Sequence, residues 1–547
     1  MKKLLFLGLI LTIGITLTGC KTDDVAVDPD PLVDPDPLVD PDPLVDPDPV
    51  ICDITLTDGG TVIENQEISE GGVVIEPEQP SKDGFNFIGW YTNSYPLGGI
   101  YDFSDLVTTN IDLYTKWEEI GFLETYGGVK DDVLSSIIID STGKMMVAGY
   151  YTLSTELTLI GQLNSTGDVI NNWKKGGSYD DRFYSLIEDS NGDFIAVGIT
   201  SSFDYAITDG RNGGQEALIM KIDTNGNILW DRTFGGSPEY VMVNKVEEVF
   251  FDVIEDNEGY YIAVGYTCSN DDDVTDIYNG NCDGLIVKFD SEGNTVWNKT
   301  IGGSDFDEFT SIILDDSGDY IVVGNTESDD GDIKDIDDNY LHHTNAVISK
   351  IDSDGNIIWL KTVDGNGSEW FNSVKMDEEG NFFAVGHTFS SGMDITDGNN
   401  GGHDALVVKL DSNGNIIWDR TIGGRYDDEF VSIIIDSDGN LVVVGSTQST
   451  DGDITNGIST SAYDTDALIL KLSPDGNIIW NKSIGGTGTD LFKSIVQDFD
   501  GNYIVVGYTL SRDGDFFIHD DYHGYTDALI AQFDKDGNIF LDYYDYK

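Results

Sequence analysis

The chain has 547 residues, with 29 Lys and Arg against 100 Asp and Glu, a formal net charge of −71. That length allows a large core with accessory modules. The charge excludes a nucleic-acid binder, which needs cationic side chains to neutralise phosphates, and favours solubility and the attraction of cations.

Residues 1–20 read as a targeting signal. Lys2 and Lys3 give a positive start, and Leu4 to Leu17 is apolar but too short to span a bilayer comfortably. Leu17-Thr-Gly-Cys20 closes the segment. This run resembles the lipobox of bacterial lipoproteins, the alternative being an ordinary secretory signal. The resemblance implies cleavage before Cys20, a diacylglyceryl group on its thiol, and residence on the extracytoplasmic face of a bacterial cell membrane. Two or three acyl chains, at ~0.8 kcal/mol per buried CH2, anchor stably where one does not.

Residues 21–50 form a tether in which Val27-Asp-Pro-Asp-Pro31 is repeated to Pro49. Proline at alternate positions blocks helix and sheet, and the aspartates repel one another, so an extended spacer reaching roughly 70 Å is expected. Residues 51–118 form a small β-rich module punctuated by glycine and proline. Its Gly84-Phe-Asn-Phe-Ile-Gly-Trp90-Tyr91 and Leu113-Tyr-Thr-Lys-Trp117 runs resemble the Listeria–Bacteroides (internalin-type B) repeat. The resemblance implies a β-grasp-like stalk or adhesion module. Trp90 and Trp117 are expected in its core.

Residues 119–547 are repeats. Asp404-Ala-Leu-Val-Val-Lys-Leu-Asp-Ser-Asn-Gly-Asn-Ile-Ile-Trp418 recurs in near copies ending at Trp230, Trp297, Trp359 and Trp480, and more weakly at Trp173. The Trp-to-Trp steps of 57 to 67 residues suit one four-stranded blade with long loops. Apolar runs between Asp/Asn/Gly turns read as buried strands, and the turn glycines as tight hairpins. Seven such units predict a mainly β chain with a seven-bladed β-propeller, a β-solenoid being the runner-up. Ile120-Gly-Phe122 to Tyr126 and Asn538 to Tyr544 both look like a fourth strand, so one chain end completes a blade begun by the other. The Asp-x-x-Gly-Asn-Ile-Ile-Trp run resembles the docking element of quinoprotein-like propellers. The whole repeat resembles propeller repeats of bacterial surface lipoproteins and secreted proteins, which implies fold and location rather than chemistry.

An acid follows each glycine pair: Asp132, Asp181, Glu248, Asp307, Glu369, Asp428 and Asp490. These read as structural acids bonding turn amides or the recurrent Lys221, Lys288, Lys350, Lys409 and Lys471; the functional alternative is a cation ring at the axis. The acidic loops Ser328 to Ile333 and Ser449 to Ile454 are expected on one face, as candidates for weak Ca2+ binding, although no complete twelve-residue calcium loop is present. Cys268 and Cys282 flank an acidic loop and are placed to form a disulfide outside the cytoplasm, while Cys52 has no obvious partner. His342-His343 and His519-x-x-x-His523 are weak metal candidates, and motifs for nucleophilic catalysis or phosphate binding are lacking. The chain therefore reads as a lipid-anchored surface scaffold for an unknown protein or glycan ligand. The alternatives are a propeller glycosidase or lyase acting on surface polysaccharide, and an envelope-assembly scaffold.

Overall fold

The computed structural model describes residues 51–58, 61–77, 80, 85–92, 101–119, 123–127, 130–152, 156–165, 167–204, 207, 215–236, 248–270, 273–276, 280–333, 343–455, 464–516 and 525–539. Cys20, the tether, His342, His519 and His523 lie outside these residues. The chain divides into two compact units, Met1–Ile120 and Gly121–Lys547.

The first unit holds β1 (Ile51–Asp58), β2 (Thr61–Ser69), β3 (Phe85–Tyr91) and β4 (Ile111–Glu119). They form one mixed sheet in the order β2-β1-β4-β3, with β1 parallel to β4 and the other pairs antiparallel. The period of two in β1 sends Cys52, Ile54 and Leu56 to one face, where they pack with Val74, Trp90, Val107 and Leu113. Trp90 is 3% exposed and so belongs to this core. The Trp117 side chain lies outside the described residues. Cys52, for which the sequence offered no partner, is disulfide-bonded, and the other half of that bond lies outside the described residues.

The second unit opens with β5 (Leu123–Tyr126) and continues, among the described residues, as seven four-stranded antiparallel sheets. The first six occupy residues 132–175, 181–234, 248–301, 307–363, 369–422 and 428–484, each with its strands adjacent in chain order. The seventh joins three strands within residues 490–533 to β5, with Ala528 opposite Tyr126 and Ala531 opposite Leu123. Of the two candidate fourth strands, the N-terminal one therefore takes the place; the run from Phe540 lies outside the described residues.

Second and third strands such as Phe194–Thr200 and Glu216–Ile222 are buried throughout, which is why they read as unbroken apolar runs. Each hydrophobic core is shared by two successive sheets. Val197 and Ile219 of the second pack with Phe250, Tyr261 and Val287 of the third. Leu134 and Val147 of the first pack with Val506 and Ile530 of the seventh. This repetition of blades, each covering the face of the next, is a β-propeller arrangement.

The recurrent tryptophans lie at these joints. Trp230 sits over the Gly293 turn of the next sheet, where φ is 79° and a Cβ would strike the indole ring. Trp173, Trp297, Trp359, Trp418 and Trp480 stand likewise against Gly226, Gly355, Gly414, Gly476 and Gly537. The rings are half-buried rather than fully enclosed, and Trp230, Trp297 and Trp480 donate their indole N–H to a carbonyl of that next turn.

Candidate binding face

The two ends of the sheets differ. One carries short Asp-Gly hairpins between first and second strands and between third and fourth. The other carries the glycine-pair turns into the next sheet and the long loops between second and third strands. Asp428 lies opposite Thr447, and Thr447 opposite Asp466, so the first acid, the start of the loop and its return all meet at this second end.

The recurrent acids are buried there and bond to the turn and the loop. Asp428 accepts from Thr447 Oγ1, from Ser449 Oγ at 2.8 Å and from Gly424 N at 2.9 Å. Asp307 is held likewise by Thr326, Ser328 and Gly303. Burial pushes Asp307 and Asp490 up to about 6 and Glu369 up to about 7, only partly offset by these donors. These acids are structural: they bond turn amides and loop hydroxyls.

The recurrent lysines do not partner these acids, contrary to the expectation from sequence. Lys221, Lys288, Lys350, Lys409 and Lys471 reach the opposite end and pair with hairpin aspartates: Lys221 with Asp189 at 2.6 Å, Lys288 with Asp256 and Lys471 with Asp436 at 2.8 Å, Lys350 with Asp315 at 2.5 Å, and Lys409 with Asp377 at 3.3 Å. Tyr261, Tyr320 and Tyr503 of the next sheets donate to Asp189, Asp256 and Asp436, so the cluster also ties blade to blade.

The acidic loops lie at the glycine-pair end, and their carboxylates serve the turns. Asp330, Asp451 and Asp513 accept from the backbone N–H of Ser304, Arg425 and Thr487, and Asp332, Asp453 and Asp515 donate their own N–H to Gly302, Gly423 and Gly485. Among the described residues no three His, Cys, Asp or Glu side chains group as a metal site, so the Ca2+ reading of these loops finds no assembled ligand set. In the third sheet the corresponding loop is closed by a Cys268–Cys282 disulfide.

Sequence reasoning looked for function in what repeats. The residues that break the repeat lie on the first strands, each of which adjoins the next, that of the seventh sheet adjoining that of the first. The second residue of each first strand and its cross-strand partner are Val133/Tyr150, Arg182/Ile199, Val249/Tyr266, Glu308/Asn325, Trp370/His387, Glu429/Ser446 and Leu491/Tyr508. Two positions on, a β-bulge adds Ser135, Tyr184, Phe251, Thr310, Asn372, Val431 or Lys493. Arg182 lies over the Tyr150 ring at 5.0 Å, Tyr184 contacts Phe251, and Trp370 stacks on His387 at 4.5 Å. Burial lowers the Lys493 pKa; Glu429 opposes that shift and Arg182 adds to it, so charges from three sheets meet here. Aligning the repeats and marking where they disagree was the available signal. Exposed aromatics continue outward at the same end: Tyr179 stacks on Phe203, and Phe389 stands edge-on to His403.

Residues 55–116 match the Listeria-Bacteroides repeat domain. Over 153 residues the chain is 28% identical to the uncharacterized WD repeat-containing protein L264 of Acanthamoeba polyphaga mimivirus. That alignment takes in 26% of this chain and spans only 11% of the relative. Among solved structures, BamB from Moraxella catarrhalis is similar at 13% identity and a TM-score of 0.32, covering 74% of this chain and 84% of that one. Sqt1 from Chaetomium thermophilum is similar at 12% identity and a TM-score of 0.36, covering 70% of this chain and 97% of that one.

Proposed function

We propose that the chain is a lipid-anchored extracytoplasmic binding scaffold. Cys20 carries the lipid, residues 21–50 space the body from the membrane, and residues 51–118 form a stalk module. The seven sheets make a closed seven-bladed propeller completed by β5, whose glycine-pair end receives a protein or glycan partner. The observation that carries the reading is the concentration of repeat-breaking side chains, charged and aromatic, at the inner strands and loops of that one end. Loops on a rigid scaffold are where such folds vary and bind. An enzyme is not favoured, because the recurrent carboxylates are buried and bonded to turns.

A glycan and protein array probed with residues 121–547 tests the binding role. Ligands lost on Trp370→Ala or Arg182→Ala support it, and ligands indifferent to both variants count against it. The anchor is tested with Cys20→Ala, expected to release the protein from membranes. A Cys20 thiol that carries a lipid is not free for a disulfide, so mass spectrometry must read acylation and any Cys20–Cys52 bond together. An unchanged membrane fraction and mass in the variant would dismiss the anchor.

A further inference from the structure

The loops of the fourth, sixth and seventh sheets turn at Gly331, Gly452 and Gly514, with φ of 67°, 67° and 68°. A Cβ at any of these would run into the carbonyl oxygen of the neighbouring Gly302, Gly423 or Gly485. In the fifth sheet the same position is Met393, with φ 62°, the one non-glycine residue in the left-handed region among the described residues. Its place is fixed by its neighbours, since Asp394 N bonds Asp364 O as Asp453 N bonds Gly423 O. A side chain kept where the backbone favours glycine points to a use for that side chain.

The surroundings say what use. Met393 is 52% exposed, and Phe389, four residues earlier in the same loop, is 51% exposed. Phe389 meets Trp370 at 6.0 Å and His403 at 5.0 Å, and His403 lies 4.7 Å from His387. The sister positions of Phe389 in the fourth, sixth and seventh sheets are Glu327, Gln448 and Leu510, so the ring that Phe389 adds has no counterpart at that position in those blades. Burial, reinforced by His403, lowers the His387 pKa to about 3 and keeps that ring uncharged. Carboxylates border the rings: Glu429 lies 3.9 Å from His387 Nδ1, and Asp427 lies 3.3 Å from His403 Nδ1. The nearby arginines are already paired, Arg420 with Asp397 and Arg425 with Asp451.

We propose that Trp370, Phe389, Met393 and His403 form a docking platform for a basic peptide segment of a partner protein. A lysine or arginine lies against the rings with its charge toward Asp427 and Glu429, and an apolar neighbour packs on Met393. Charge complementarity selects this occupant. A cation gains from both π faces and carboxylates, and the −71 net charge steers it in. A neutral glycan would use the stacking alone, and an anionic one is repelled. The unbranched thioether of methionine adapts to differing apolar partners. The inference rests on the reading of the glycine-pair end as the binding face.

The test measures anisotropy of a fluorescein-labelled dodecapeptide, four repeats of Arg-Leu-Ser, against the full chain in moderate salt, with the Glu-Leu-Ser counterpart and cellohexaose as further probes. The basic peptide alone should bind. Met393→Gly and Phe389→Ser should each weaken it at least tenfold, Met393→Gly without any loss of melting temperature, while Leu510→Ser at the sister position changes nothing. No binding of the basic peptide overturns the proposal. So does cellohexaose binding that is lost in the same two variants, which would make the platform a glycan site. Binding kept by both fifth-blade variants and lost on Leu510→Ser overturns the platform and leaves the face. Binding unchanged in all three variants counts against the face as well.

Discussion

Asp404 and Asp428 face each other across Gly423: a Cβ on that glycine would stand 2.7 Å from one carboxylate and 2.5 Å from the other. Asp404 starts the third strand of the fifth sheet, and Asp428 starts the first strand of the sixth. The same junction recurs at Gly302, between Asp283 and Asp307, and at Gly127, between Asp527 of the seventh sheet and Asp132 of the first. Between the fourth and fifth sheets the glycine is replaced by Asp364 and the third-strand acid by Asn345, so one carboxylate is gained where another is lost. Gly423→Ala should therefore be among the most damaging single-methyl changes in the chain. Overpacking against two buried carboxylates is expected to cost about 3 kcal/mol, read as a lowered denaturation midpoint. A midpoint within ~0.5 kcal/mol of the parent would show that the junction yields.

Stability should rise as pH falls from neutrality. Burial raises Asp307, Asp404 and Asp490 to about 6 from 3.8, and Glu369 to about 7 from 4.5. Between those limits the folded chain holds more protons than the unfolded one, so unfolding free energy declines as pH climbs through the window. The hairpin aspartates act in the opposite sense at lower pH. Burial raises Asp189 and Asp436, but bonds from Lys221 and Lys471 outweigh it and leave both below 3.8, so their contribution is lost as pH falls through the folded values. Melting temperature is expected to peak near about pH 5. A profile flat from pH 8 to 5 would contradict the buried acids, and Asp404→Asn should reduce the rise.

The indole rings at the blade joints set a third expectation. Trp480 packs on Tyr503 at 6.1 Å and covers Gly537, but it remains half-buried. Truncation to alanine should then cost about 2–3 kcal/mol, below the ~3–5 of a fully enclosed aromatic. Chemical denaturation of Trp480→Ala checks this. A cost under ~0.5 kcal/mol would move the ring from structural joint to exposed platform.

The repeat was legible because two periodicities coincide in it. Apolar runs of strand length alternate with Asp-x-x-Gly-Asn turns, and the Trp marks the same place each time. The partners of the acids were not legible in the same way. Asp181 begins a first strand, whereas Lys221 is the sixth residue of a third strand running in the same direction. At ~3.3 Å per residue the lysine is carried roughly 17 Å to the other end, beside Asp189 rather than Asp181. The distance was available from strand lengths, but which acid waits at the far end depends on register. Met393 was visible as a break in Asp-Gly-Asp, yet only the backbone angle shows that it stands where its sisters need glycine.

Salt should distinguish screening from specific binding. The carboxylates of Asp451 and Asp513 accept turn amides, and Arg425 adds an ion pair to Asp451 at 2.9 Å. Melting temperature is expected to rise equally in CaCl2 and in NaCl of matched ionic strength, because exposed like charges interact less as the Debye length shrinks. A rise specific to Ca2+ and lost on Asp453→Asn would restore a calcium site to the sixth-sheet loop.

The pairing of β5 with the seventh sheet makes the last prediction. Four residues, Leu123 to Tyr126, supply the fourth strand that the other six sheets of this unit draw from their own hairpins, among the described residues. Leu123 is buried with Phe492, Leu529 and Phe533, and Tyr126 packs against the core shared by the first and seventh sheets. Leu123→Asp places a carboxylate in that apolar core, so several kcal/mol should be lost, more than from Leu123→Ala at about 2–4. Asp132 N also bonds Thr526 O, so the strand and the turn after it join the chain's two ends. Hydrogen exchange separates a local from a global effect. If β5 closes the ring, Leu123→Asp should speed exchange in Asp527–Phe533 and also in Asp132–Ile139, the next sheet's inner strand. Faster exchange confined to Asp527–Phe533 would mean that β5 covers an edge without holding the first and seventh blades together.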